Sequence, residues 1–155
     1  MNNIISTFFF SLIIIIFVIG VIYTLNNNSK LKKLLLNEKI LFDQNELEII
    51  DKESLGINFW LGNMTIYENY IRIEKATIPN TYSHLIIGNK NKNSKNKISG
   101  TITLTECSVE TNNELTLKGT KYRVLHKSGI NIRLKGENKF AMEKINQLIN
   151  EKFLV

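Results

Sequence analysis

Lysine is the side chain most available for chemistry in this sequence, and it is concentrated in two places. Residues 89–97 read NKNKNSKNK, with four lysines and no apolar residue, and four more lysines follow a long apolar stretch. Ammonium groups beside a bilayer attract anionic headgroups, at about 1 kcal/mol each. We therefore predict that anionic lipid contacts Lys30, Lys32, Lys33, Lys39, Lys90, Lys92, Lys95 and Lys97.

Residues 89–97 have a simpler interpretation, a mobile solvated loop with no ligand, and the composition favours it. Asparagine dilutes the charge, and no arginine is present to form paired hydrogen bonds with a phosphate. The whole chain is basic, with 20 Lys and Arg against 14 Asp and Glu. Nucleic acid is nevertheless disfavoured as a partner, because the basic residues do not alternate with aromatic ones.

Residues suited to catalysis are few and scattered. His84 and His126 lie far apart, and Cys107 is the only cysteine, so no disulfide can form within the chain. No spacing of His, Cys or carboxylates matches a metal site, and no phosphate-binding glycine motif occurs. We predict a non-enzymatic protein with no catalytic, metal or cofactor site. Cys107 is expected to be a half-buried structural thiol, with Glu106 opposing its ionisation.

The first long element is apolar. Ile4–Leu25 holds 22 residues without a charge, about 33 Å of helix, and a bilayer core is about 30 Å thick. This predicts a transmembrane anchor, which occupies residues 1–29 with its flanks. A cleaved signal peptide is the alternative, but the start lacks Lys and Arg and the run is too long. The lysines that follow predict a cell membrane protein with its N-terminus outside and its C-terminal domain in the cytoplasm.

Residues 30–43 have the pattern of an amphipathic juxtamembrane helix. Leu31, Leu34 and Leu35 fall near one face, and Lys32 and Lys33 take the other. Three interpretations stay open. The apolar face lies in the membrane interface, it packs on the following domain, or the segment continues the first helix.

Residues 44–155 change to a period of two, which predicts strands. The runs are short and separated by turns such as Gly62-Asn63, and a change of parity predicts a bulge near Thr105–Glu106. Such spacing favours an antiparallel β-sandwich or small barrel. Residues 138–153 then form a helix whose apolar stripe must cover an open end or face of the sheet. The expected fold class is α+β.

The segment Ile98–Ile149 resembles the bacterial pleckstrin-homology-like (PH-like) and GRAM-like domains. Their paired hairpin and closing helix are similar to the layout of Leu115, Leu117, Gly119, Tyr122 and Val124 followed by the helix from Asn138. The resemblance implies a PH-like β domain closed by a C-terminal helix. Phosphoinositide-binding members carry a basic motif in their first hairpin, whereas residues 56–74 hold only Arg72, so headgroup recognition is not implied.

Two functions follow from these patterns. The first is a single-pass membrane-anchored binding or scaffold protein that presents a PH-like domain at the membrane surface. Its partners would be the lipid bilayer, anionic headgroups or another membrane protein. The alternative is an outward-facing structural subunit of an envelope assembly. Pilin-like proteins resemble this chain in having an apolar N-terminal helix before β structure.

Overall fold

The chain divides into two compact units, Met1–Leu36 and Asn37–Val155. In the part of the chain that the structure describes, the first unit is a single helix, and the second is a closed β-barrel with one further helix. The computed structural model describes residues 2–53, 56–75, 85–89, 101–111, 113–122 and 127–154.

Helix α1 (Asn2–Leu36) is continuous. Of the three interpretations of residues 30–43, the structure matches continuation of the first helix, but only as far as Leu36. Strand β1 begins at Ile40, so the helix prediction is wrong for residues 40–43. Tertiary packing explains why these residues form a strand, because Leu41 and Phe42 pack against the barrel core. Side chains of α1 are described at residues 10–22, 26, 29, 30, 33, 35 and 36.

The prediction of a transmembrane helix needs correction. A helical span requires roughly 20 consecutive apolar residues. Within the described residues, no helix combines the length and the apolar character needed to cross a membrane. This finding contradicts the transmembrane assignment of Ile4–Leu25. The described residues form a closed seven-stranded barrel and two helices, without an assigned span.

The seven strands pair in chain order and close into a barrel. Strand β1 pairs with β7 to complete the ring, and every neighbouring pair is antiparallel except β4–β5. Those two strands are parallel and share two residue pairs in the described part of the chain. The strands are β1 (Ile40–Glu53), β2 (Gly56–Tyr67), β3 (Tyr70–Lys75), β4 (Leu85–Gly88), β5 (Thr101–Thr111), β6 (Glu114–Tyr122) and β7 (Lys127–Lys135).

The parallel pair also departs from the predicted antiparallel sandwich or barrel. Parallel neighbours need a connection of about a dozen residues to bring the chain back to the same end. Residues 89–100 supply that length between β4 and β5. The lysine-rich stretch at 89–97 falls in this interval of the sequence, and apart from Asn89 it lies outside the described residues.

Alternation of apolar and polar residues builds the barrel wall. On β7, Ile130, Ile132 and Leu134 are buried, and Asn131 and Arg133 between them are only partly so. Isoleucine dominates these positions because β-branched side chains suit a half-buried pleated surface. Every strand contributes aliphatic side chains to a single core cluster.

The turn predicted at Gly62-Asn63 is wrong. Gly62-Asn63 was expected to separate two strands, but β2 runs through it from Gly56 to Tyr67. Glycine is required there by space, because a Cβ on Gly62 would lie 2.7 Å from the main-chain oxygen of Glu74. The residue permits close approach within a strand rather than a turn.

The bulge predicted near Thr105–Glu106 is confirmed. The register of β5 against β6 shifts between Leu104 and Glu106. The extra residue reverses the parity of the strand, so Cys107 packs against the core as Leu104 does.

Helix α2 (Lys139–Phe153) closes the end of the barrel at which β7 finishes and β6 starts, as the sequence predicted for residues 138–153. Asn138 is its N-cap, and its side-chain oxygen accepts a hydrogen bond from the amide of Ala141. One face joins the barrel core. The buried residues are Ala141, Met142, Ile145, Leu148, Ile149 and Phe153.

Candidate functional site

A polar groove of about 530 Å³ lies at the barrel end closed by α2. This volume is within the usual range for ligand sites. One wall comes from β1 and β2, and the other comes from the turn before β6, the last residue of β7 and the segment between β7 and α2. The lining residues are Gln44, Asn45, Glu46, Glu48, Leu61, Asn113, Lys135, Gly136, Glu137 and Asn138.

A β-bulge in β1 shapes the first wall. Gln44 is opposite Met64 and Leu47 is opposite Gly62, so β1 has one residue more than β2 over this interval. Glu46 adopts the left-handed conformation, with φ at 59°. Its main-chain amide donates a hydrogen bond to the side-chain oxygen of Asn63, over 3.3 Å. The bulge therefore turns the carboxylate of Glu46 out of the regular strand pattern and into the groove lining.

The second wall begins where β7 separates from β1. In the described residues their pairing ends at Glu48 and Lys135. The chain then passes through Gly136, whose amide donates a hydrogen bond to the main-chain oxygen of Asn113 over 3.0 Å. Gly136 is packed tightly, because a Cβ there would lie 2.9 Å from the side chains of Leu47 and Met142. This anchors the second wall to the barrel core.

The groove is acidic. Three carboxylates line it, from Glu46, Glu48 and Glu137, against one ammonium group, from Lys135. Lys135 forms an ion pair with Glu48 over 3.1 Å, which leaves the charges of Glu46 and Glu137 without a paired cation among the described residues. The N-terminal end of α2 offsets part of the charge of Glu137. The electrostatic preference is for a cationic ligand.

The chemistry available in the groove is ion pairing and hydrogen bonding. Side-chain amides of Gln44, Asn45, Asn113 and Asn138 provide both donors and acceptors next to the carboxylates. Among the residues described, no three His, Cys, Asp or Glu side chains are grouped as a metal site requires.

Cys107 lies on β5, away from the groove lining. Its thiol donates a hydrogen bond to the side-chain oxygen of Asn146 on α2, over 3.4 Å. Burial, and secondarily the charge of Glu106, raises the pKa of Cys107 to about 11. The predicted half-buried thiol is confirmed, and it carries its proton at neutral pH.

The structure describes the side chains of three of the eight lysines singled out from the sequence. Lys30 and Lys33 are exposed near the end of α1, and Lys39 is exposed before β1. The side chain of Lys32 is outside the described part, as are Lys90, Lys92, Lys95 and Lys97. His84 and His126 also lie outside it. The anionic-lipid contact stays a prediction.

Sequence reasoning missed the groove because its two walls lie more than 50 residues apart in the chain. Gly136 and Asn138 were recognised only as the start of a helix. Nothing in the pattern of Gln44–Leu47 predicts a left-handed glutamate, since that conformation is uncommon outside glycine, asparagine and aspartate. A comparison with known proteins finds no family model and no curated protein that matches this chain.

Proposed function

We propose that the protein is a non-enzymatic binding or scaffold protein whose barrel takes a basic, extended peptide segment in the acidic groove. The observation that carries this proposal is the charge of the lining, three carboxylates against one lysine that is already paired. Four residues of β1 line the groove, Gln44, Asn45, Glu46 and Glu48. A peptide in extended conformation offers main-chain groups to the side-chain amides beside these carboxylates.

The resemblance to PH-like domains is part of the same proposal. Seven strands in chain order followed by one closing helix support it. A binding role suits such a barrel because its interior is filled by aliphatic side chains, which leaves its surface for ligands.

The test is fluorescence anisotropy with labelled tetralysine and the full chain, and labelled tetraglutamate serves as the opposite-charge control. Tetralysine is expected to bind more tightly, and to weaken as ionic strength rises. The double variant Glu46→Gln and Glu137→Gln removes both unpaired carboxylates. At up to about 1 kcal/mol for each exposed ion pair, it should weaken binding by about tenfold.

Glu68→Gln is the matched control, because Glu68 is exposed in the turn between β2 and β3 and does not line the groove. It changes the net charge by one without altering the site, so it is compared with Glu46→Gln and with Glu137→Gln made singly. Equal binding of the two peptides, or equal effects of the groove and control variants, would exclude the proposal.

A second proposal retains anionic headgroups as a partner. It is supported by the exposure of Lys30, Lys33 and Lys39, which are close in sequence. Flotation of the full chain with vesicles of phosphatidylcholine, with and without phosphatidylserine, tests it. Binding that requires phosphatidylserine and is lost on Lys30→Gln with Lys33→Gln supports the contact. Location at the cell membrane and the envelope-assembly alternative stay predictions.

A further inference from the structure

The chain carries a basic segment that complements the acidic groove in charge and in hydrogen-bonding groups. This basic segment, residues 90–97, reads KNKNSKNK, with four lysines, three asparagines and no acidic or apolar residue. The groove lining offers carboxylates and four side-chain amides. Because asparagine amides both donate and accept hydrogen bonds, the segment can bond to the amides of the lining as well as to its carboxylates.

The basic segment carries the cations that the groove lacks. Lys135 is paired with Glu48, and the carboxylates of Glu46 and Glu137 have no paired cation among the described residues. The chain as a whole has a net charge of +6, so two copies repel one another on average. An acidic groove on a basic chain is therefore a place where a basic segment of a second copy is attracted rather than repelled.

Chain length limits how far the basic segment reaches from its own barrel. The segment lies in the sequence between Asn89 and Thr101, which are twelve residue steps apart. Thr101 is paired with Ile86, three residues before Asn89, so the two ends are close together. A chain that goes out and returns within twelve steps reaches about 20 Å at most, and only with its middle residue.

The groove lies at that limit. Asn89 bonds to the main-chain oxygen of Lys152 in the last turn of α2, whereas Asn138, which lines the groove, is the N-cap of the same helix. The helix between Asn138 and Lys152 is about 21 Å long. Only the tip of a fully extended segment reaches the groove of its own copy, so several lysines cannot lie in it together. A second copy is free of this restriction.

We infer that the partner of the groove is the basic segment of a second copy of this chain. The lysines of the segment supply the cations that Glu46 and Glu137 lack, and its asparagines bond to the amides of the lining. Each copy gives a groove to one neighbour and a segment to another, so the contact is head-to-tail and builds rings or chains. This inference rests on the proposed function and names its partner.

Two full-length variants with complementary defects test the inference by sedimentation velocity at low ionic strength. The groove variant is Glu46→Gln with Glu137→Gln. The segment variant combines Lys90→Gln, Lys92→Gln, Lys95→Gln and Lys97→Gln. The average mass of the unaltered chain should rise with concentration more than that of either variant. An equimolar mixture should exceed both variants measured alone, because it restores one intact groove and one intact segment. Every variant keeps α1, so any association through its exposed apolar side chains is common to all.

The matched control for the segment variant loses four exposed lysines elsewhere on the barrel and α2, and it should associate as the unaltered chain does. It combines Lys52→Gln, Lys118→Gln, Lys127→Gln and Lys144→Gln. A labelled peptide of residues 89–97 measures the contact directly. It should bind the segment variant, and about tenfold more weakly once Glu46→Gln and Glu137→Gln are added.

The inference is overturned, and the proposed function kept, if tetralysine binds the groove but the mixture of variants does not exceed its components. A control variant that associates as weakly as the segment variant would overturn it too, as would a peptide of residues 89–97 that does not bind. Loss of tetralysine binding as well would reject the proposed function and this inference together.

Discussion

The side-chain amide of Asn89 donates a hydrogen bond to the main-chain oxygen of Lys152, over 2.9 Å. Asn89 directly follows β4, and Lys152 lies in the last turn of α2. The last four carbonyl groups of a helix have no partner within the helix, so this contact satisfies one of them. Asn89 also donates its main-chain amide to the main-chain oxygen of Asn69, in the turn between β2 and β3. One asparagine thus holds the end of α2 to the barrel.

Replacement of Asn89 should loosen that end. Asn89→Ala removes the donor and should lower the free energy of unfolding by about 1 kcal/mol. Asn89→Asp should cost more, because it also places a negative charge beside the carbonyl end of a helix. Urea denaturation measures both changes. Gln147→Ala is the control, since Gln147 is exposed and bonds within α2, and an equal loss in the control would contradict the role of Asn89.

The left-handed conformation of Glu46 should be a source of strain. A residue with a Cβ pays roughly 1–2 kcal/mol for this region, and glycine avoids most of that cost. Glu46→Gly is therefore expected to raise the free energy of unfolding by about 1 kcal/mol. Lys52→Gly, on an ordinary stretch of the same strand, should lower it by about 0.5–1 kcal/mol. A loss of stability in both variants would show that the bulge does not strain Glu46.

Two glycines provide a matched test of close packing. A Cβ on Gly119 would lie 2.4 Å from the main-chain oxygen of Thr103, whereas a Cβ on Gly129 would meet nothing within 4 Å. Gly119→Ala must push two strands apart and should cost about 1–3 kcal/mol. Gly129→Ala should be neutral or slightly stabilising. Thermal denaturation of both variants decides the point, and equal melting temperatures would refute it.

The raised pKa of Cys107 predicts slow alkylation of its thiol and a contribution to stability that depends on pH. With a pKa of about 11 in place of 9.0, the thiolate is about a hundredfold scarcer at pH 8, so alkylation by iodoacetamide should be slow. The folded state favours the protonated thiol, so its contribution to stability is complete below pH 9 and is lost as pH rises towards 11.

Denaturation from pH 8 to pH 11 measures the stability effect of Cys107. Cys107→Ser cannot ionise in this range, and it keeps a hydroxyl donor for Asn146. The difference in stability between the two proteins should therefore be constant below pH 9 and change only above it. A constant difference across the range would contradict the pKa assignment.

Local patterns predicted much of the barrel. The alternation at Ile71 and Ile73 and the parity change near Thr105 are visible in the sequence, because strand side chains alternate strictly. Asn138 was recognisable as a helix start because asparagine is a favoured N-cap residue. Leu41 and Phe42 were misassigned to a helix because their spacing fits both structures, and only packing against the barrel core decides between them.

The candidate site could not be predicted in the same way. The orientation of β2 is one example, because alternation alone does not decide which of its two faces points outward. Trp60 lies on the opposite face to Phe59 and packs against the core, although the sequence gives no sign of which is inside. The groove depends on the bulge at Glu46 and on the point at which β7 separates from β1, which are long-range properties of the closed ring.

The pairing between β4 and β5, here called the β4–β5 seam, is short, and this affects where the barrel opens locally. Within the described residues this seam has two residue pairs, whereas β6 and β7 share nine. Partial opening in native proteins starts where the fewest interactions must break. Amide hydrogen exchange should therefore be fastest along this seam and slowest between β6 and β7. Water would reach the buried side chains of Ile87 and Ile102 through this seam long before the chain unfolds as a whole.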